Sequence, residues 1–226
     1  YDPGTYTLTR EAVGSRYVID GVRILADPND PDDLAQANAL QDRVTSSQPG
    51  GPGTFEVPAW DMASQEKVRN ALLVLSSTLP DLRYAAGPTP DSVDPVRRLI
   101  AAASGWGLNP DKDAIYLNVY PENNDGRTVY QLDVGEVPVD AFWSVSIYNR
   151  EGYFEANDLD AYVVNSVTAA KGEDGSTRIQ FGDCTVDTPN CLPVTDGWHY
   201  MVRLYRPRGE ILDGSWTFPV AQPRGC

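Results

Sequence analysis

Histidine is nearly absent from this chain of 226 residues: there is one, His199. A Ser–His–Asp or Cys–His mechanism would have to use that residue, and histidine-rich metal chemistry is excluded by arithmetic. No G-x-S-x-G elbow is present. Basic residues are outnumbered, 18 Lys and Arg against 32 Asp and Glu, for a formal net charge of −14 and a sequence pI of about 4.3. That field repels nucleic acid and anionic membrane surfaces, so neither is expected as a partner. No apolar run approaches the roughly 20 residues that span a bilayer. The longest, 71–75 and 99–103, read as helix faces. No signal peptide lies within the sequence, no repeat period is visible, and the chain starts at Tyr1 without a methionine, which fits a mature, processed form.

Cysteine is scarce too, with three. Cys184 and Cys191 bracket a loop with Pro189 and Asn190 at its turn. Two strand ends joined this way can bring the thiols within disulfide range, and the bond would imply an oxidising compartment. The alternative is a pair of buried free thiols. Two cysteines and one histidine do not make a zinc site, so no metal and no cofactor is expected. Cys226 is free, tethered to another chain, or frayed.

What the chain does have is a globular composition: 41% hydrophobic residues, with 12 Tyr and 5 Trp. Its length allows roughly 70% of the unfolded surface to be buried, a core that needs no staples. Residues 6–13 and 16–25 are β-branched and aromatic around Gly14 and Ser15, and read as two strands. In the next segment Asp30 or Asp32 suits a helix N-cap, Pro31 the first turn, and Leu34, Ala37, Leu40 and Val44 step around a helix. The stretch 46–54, SSQPGGPGT, is the clearest boundary. A helix over 61–77 carries Val68, Ala71, Leu72 and Leu75 on one face, and another runs from an Asp94 cap to Ser104, stopped by Gly105 and Gly107 around Trp106.

From Asn109 the period changes to two. Ile115, Leu117 and Val119 face one way, Tyr116, Asn118 and Tyr120 the other, and the turn 123–127 predicts a hairpin to 128–134. Trp143, Val145 and Ile147 alternate with Phe142, Ser144, Ser146 and Tyr148, and 177–182 and 198–205 alternate likewise. Short strands with turns at roughly ten-residue spacing predict an α+β chain whose β part is a jelly-roll-like antiparallel sandwich, with about three helices packed alongside. The division expected is 1–50, strands and a linking helix, and 51–226, the sandwich with two helices.

Three segments carry a family resemblance: NPDKDAIYLNVYPENNDGRTVYQLDV, PVDAFWSVSIYNREGYF and LPVTDGWHYMVRLYRPRGEILDGSWTFP. They resemble the bacterial family known as domain of unknown function 1214, which often follows a partner, domain of unknown function 1254. RILADPNDPDDLAQANALQDRV is similar to the helix that links the two. The resemblance spans most of residues 20–222. It implies a jelly-roll-like sandwich in an exported or envelope protein, secreted or periplasmic, and it supplies no catalytic residues.

The residues themselves offer several constellations. The aromatic and amide cluster of Tyr116, Asn118, Tyr120, Tyr148, Asn149, Arg203 and Tyr205 suits a small polar or carbohydrate-like ligand, held by ring stacking and hydrogen bonds. Its bland reading is core rings with hydroxyls at the rim. Glu151, Glu155, Asp158 and Asp160 offer carboxylates for a hydrolase or lyase, with Tyr148 or Tyr162 assisting, provided one is buried and its pKa raised; a solvated loop is the simpler account. Asp27 to Asp33 hold oxygen ligands suited to calcium without the spacing of an EF-hand, and helix capping accounts for them. Arg203, Arg206 and Arg208 can hold an anion or pair with local acids such as Glu210 and Asp213. His199 reads as structural. A third function class is a structural, homo-oligomeric assembly built on strand edges or Cys226.

Overall fold

The computed structural model of the chain describes residues 4–27, 29–51, 53–105 and 107–224; Trp106 and Cys226, both singled out from the sequence, lie outside the described residues. The chain separates into two compact units, Tyr1–Ala59 and Trp60–Cys226.

The first unit contains a single helical turn, α1 (Arg10–Val13), and a helix, α2 (Pro31–Gln41). Asp30 caps α2 by accepting from the amides of Asp32 and Asp33, with Pro31 in the first turn. The strands expected over 6–13 and 16–25 do not form among the described residues. Thr9 caps the α1 turn through the Ala12 amide, and Gly14 closes it in the left-handed region. Among the described residues no backbone pairs with 16–25: β-branched composition favours a pleated, half-buried surface, and without a pairing strand it does not make a ladder. Ile19 and Leu25 stay 87% and 80% exposed.

The second unit begins with α3 (Met62–Ser76) and α4 (Pro95–Ser104), capped by Asp61 and Asp94. The two helices pack on each other. The apolar face of α3 is not enclosed, since Val68 and Leu75 are exposed, whereas α4 buries Ile100 and Ala101. Arg97 fastens α4 to the preceding segment through the carbonyls of Asp81 and Arg83.

Eight strands follow: β1 (Ala114–Val119), β2 (Tyr130–Val134), β3 (Trp143–Tyr148), β4 (Val163–Asn165), β5 (Thr177–Phe181), β6 (Cys191–Leu192), β7 (His199–Tyr205) and β8 (Gln222–Pro223), with a short helix α5 (Gly209–Leu212) after β7. They form two four-stranded sheets, ordered β1-β7-β3-β4 and β6-β5-β2-β8. Pairing is antiparallel except between β5 and β6. The fold is the α+β sandwich expected.

One turn corrects the sequence reading. Residues 123–127 do not close a hairpin, because β1 pairs with β7 while β2 pairs with β5 and β8. The turn arches from one sheet to the other. Asp125 caps it by accepting from the amides of Arg127 and Thr128, and Gly126 has φ of 71°. A Cβ there would meet the backbone of Thr195 and Asp196 at 2.7 Å, so the close approach of the 195–196 segment requires glycine as much as the backbone angle does.

The inner faces of both sheets make one core. Ile115, Val145, Trp143, Val202 and Leu204 meet Leu132, Val134, Ile179 and Phe181, with Trp198 and Tyr200 fully buried among them. The ring of Trp198 stacks on Phe181 at 5.1 Å, and the Tyr200 hydroxyl accepts from the Ala221 amide at 3.0 Å, which satisfies the polar tip of a buried ring.

Candidate functional site

Strand register fixes what lies on the outer side of the first sheet. Tyr116 stands opposite Arg203, which stands opposite Ser144, itself paired with Asn165. One step along, Asn118, Met201, Ser146 and Val163 form the next row, and His199 and Tyr148 a third. Because side chains alternate between faces, these residues share the face opposite the core. Tyr120 continues it just past the end of β1.

A ladder of rings crosses this face. Tyr120 stacks on His199 with centroids 4.6 Å apart, His199 on Tyr148 at 5.6 Å, Tyr148 on Phe154 at 5.0 Å, and Phe154 lies against Tyr162 at 5.4 Å. These spacings are close to the roughly 4.8 Å between neighbouring strands, so the rings stand side by side across the sheet. Their π faces are occupied by one another, and edges and hydroxyls are what they present outward. Tyr120, 66% exposed, is the open end. His199 is itself buried, its Nδ1 has no hydrogen-bond partner among the described residues, and burial pushes its pKa below the usual 6.5. The imidazole is therefore neutral near pH 7.

Arg203 is the only cation in these rows. Its guanidinium donates to the Ser146 hydroxyl at 2.7 Å and the Tyr148 hydroxyl at 2.6 Å, and its carbon lies 5.9 Å from the Tyr148 ring centre. Among the described residues no Asp or Glu comes within ion-pair distance of it. Tyr116 is fixed from the side, its hydroxyl accepting from Asn109 at 2.8 Å, and Tyr205 stacks on Phe142 at 4.4 Å.

Of the residues expected to bind ligand, Tyr116, Asn118, Tyr120, Tyr148, Arg203 and Tyr205 thus come together, and Asn149 does not. Asn149 holds the turn after β3, accepting from the Tyr153 amide and donating to Glu155 at 2.8 Å. Sequence reasoning did not name His199, Ser146 or Phe154 as site residues, although it set Ser146 on the side of Tyr148. The signal was available for the first two: His199 shares its parity with Arg203 along β7, as Ser146 does with Tyr148 along β3.

The other constellations separate. Glu151, Glu155, Asp158 and Asp160 are all exposed, and of these Asp158 lines an open groove. Arg208 pairs with Asp140 at 2.8 Å rather than with Glu210 or Asp213, and Arg206 is exposed. Asp30 is spent on the cap of α2, and among the described residues no group of three or more His, Cys, Asp or Glu can hold a metal ion. Cys184 and Cys191 form a disulfide, Cα atoms 5.6 Å apart, beside an open groove of ≈ 480 Å³ between the β4 edge and the disulfide loop. Among the described residues no helix is long and apolar enough to cross a membrane.

Residues 114–209 match the family model described as "Protein of unknown function (DUF1214)", a stretch that contains the whole face from Tyr116 to Tyr205. The crystal structure of the VPA0106 protein from Vibrio parahaemolyticus is similar in fold, with a TM-score of 0.57 at 18% identity, over 96% of this chain and 61% of that one. The chain thus spans about 61% of the length of that protein. An uncharacterized protein from Burkholderia cenocepacia aligns over 75% of this chain and 46% of its own, at 14% identity and a TM-score of 0.37. No curated protein matches the chain.

Proposed function

We propose that this protein, whose residues 114–209 match the DUF1214 family model, binds a small polar, carbohydrate-like ligand on the outer face of the β1-β7-β3-β4 sheet. The observation that carries the reading is a half-buried arginine, Arg203, held in place by two hydroxyls, without an acidic partner, amid Tyr116, Asn118, Tyr120, Tyr148 and Tyr205. The pre-positioned Arg203 and the Asn118 amide, which has no hydrogen-bond partner among the described residues, suit ligand hydroxyls, and the open ring of Tyr120 suits the apolar face of a sugar. The protein works outside the cytoplasm, in the cell envelope, the periplasm or the medium. The Cys184–Cys191 disulfide supports this, because such bonds persist in oxidising compartments.

The test is a thermal-shift screen of the full chain against sugars, sugar acids and organic acids, followed by calorimetry on any hit. A ligand at a hundred times its Kd stabilises the native state by about 2.7 kcal/mol. Tyr116→Ala, Asn118→Ala and Tyr120→Ala should each weaken binding without lowering the melting temperature of the free protein by more than a few degrees. A hit unaffected by all three variants sets the reading aside.

A second reading, association into homo-oligomers, is favoured by exposed apolar side chains: Ile19, Leu25 and Phe55 in the first unit, and Val68, Val96 and Leu99 on the helices of the second. Light scattering on the purified chain decides it, a monomeric mass removing it.

A further inference from the structure

We propose that the ligand of this face carries a single carboxylate, as in a uronic acid or another sugar acid, and that Arg203 is its anchor; the inference rests on the binding reading above and names the ligand class. The argument is one of charge. In a chain of net charge −14, the other half-buried arginines among the described residues, Arg83 and Arg97, both sit beside Asp81, and several exposed ones pair as well, Arg208 with Asp140, Arg178 with Asp133 and Arg150 with Asp196. Arg203 is half-buried and its register neighbours are Tyr116 and Ser144, with Asn118, Ser146 and Met201 one row along, all uncharged. Taking a guanidinium partly out of water without a counter-charge is unfavourable, and an anion from solution removes that deficit.

Two features select a monocarboxylate over a phosphate. Only one cation stands on the face, so one charge is balanced and a second is not. The surrounding protein is strongly acidic, and its field penalises a dianion twice as heavily as a monoanion. Two guanidinium nitrogens are already committed to Ser146 and Tyr148, which fixes the plane of the group while its remaining N–H donors stay available. His199 does not compete for the anion, because its burial among rings keeps it neutral. The hydroxyls and the Asn118 amide around Arg203 match the hydroxyls of a sugar acid better than the bare chain of a fatty acid.

The experiment is calorimetry with the full chain against short oligomers of galacturonate, glucuronate, mannuronate and guluronate, each beside its methyl ester, with inorganic phosphate and neutral oligosaccharides of the same length. We expect at least one acid oligomer to bind, its ester to bind about 10- to 100-fold more weakly, and Arg203→Gln to reduce the acid to the level of the ester. Arg178→Gln, on the other sheet, should bind as the wild type does. Equal binding of acid and ester, or phosphate binding more tightly than any acid, overturns the carboxylate assignment and leaves the face as a binding site. Binding of neutral oligosaccharides alone, lost in Tyr120→Ala, does the same. Failure of every probe overturns the assignment and the binding reading together. Circular dichroism on Arg203→Gln establishes that the variant is folded, and Arg203→Lys, which keeps the charge but not the planar fork, should recover only part of the affinity.

Discussion

The two sheets of the sandwich share one core and differ on their outer faces. On the second sheet, Asp133 and Arg178 stand opposite each other and pair at 2.7 Å, Gln131 donates to the same carboxylate at 2.7 Å, and Arg224 donates to Gln180 at 3.2 Å. Asp133 and Arg178 answer each other, and the Arg178 hydrogen bond holds Asp133 below the usual carboxylate range. On the first sheet the arginine is oriented by hydroxyls and answered by no acid, and rings replace the surrounding charges. A polar surface that closes on itself keeps a sandwich soluble. A polar surface left incomplete in an otherwise acidic protein is what the proposed ligand would complete.

The contrast can be tested from its foundation outward. Trp198→Ala removes a ring that both sheets pack against, and should cost about 3–5 kcal/mol in urea unfolding, with a single transition. A loss below about 1 kcal/mol would mean that the sheets do not share a core. Replacing Cys184 and Cys191 by serine opens a loop with a sequence separation of seven, and should cost about 2–3 kcal/mol. Because β6 borders the second sheet, ligand binding on the first should survive that change, and calorimetry of the double variant would show it.

His199 gives the first face a dependence on pH near neutrality, where the second face has none from Asp133. Its pKa is lowered on folding, so below its ordinary 6.5 the unfolded chain binds more protons than the folded one. Stability is therefore complete above that pH and falls as the pH drops through it. His199→Phe keeps a ring in the ladder and should flatten the difference between urea midpoints at about pH 7.5 and about pH 5. On the second face the smallest effect is expected. Arg178→Gln breaks an exposed pair and should cost less than about 1 kcal/mol. Asp133 has a depressed pKa, so its contribution is present above the usual 3.8 and lost as the pH falls through the folded value. The variant should lie slightly below the wild type near neutrality, show a shallower acid limb in a melting series, and converge with the wild type once Asp133 is protonated in both.

Much of the first face was legible because a strand has a period of two. Tyr116 and Asn118 on one strand and Arg203 and Tyr205 on another declare their common side once the inner residues Ile115, Val202 and Leu204 are recognised. The three longer helices were legible from their caps, Asp30, Asp61 and Asp94. Pairing partners were not. Alternation within β1 and β2 is the same whether the strands lie side by side or in opposite sheets, since in both cases one face is buried. The arch at Gly126 depends on the Thr195–Asp196 backbone, which no local pattern reveals. Residues 16–25 show the converse: local composition favours a strand, but a ladder needs a second backbone. Asn149 failed as a site residue for a related reason, its amide being consumed by the turn that follows β3.

The arch has a consequence for the order in which the molecule comes together. Because β1 is carried away from β2, it must wait for β7, the strand that joins it to the β3–β4 pair. Strand β7 follows the other three strands of its sheet in the sequence, so β1 and β3 reach it only across long sequence separations. Such topologies fold slowly. A chain released before Tyr205 has left the ribosome lacks the strand that joins both halves of the face.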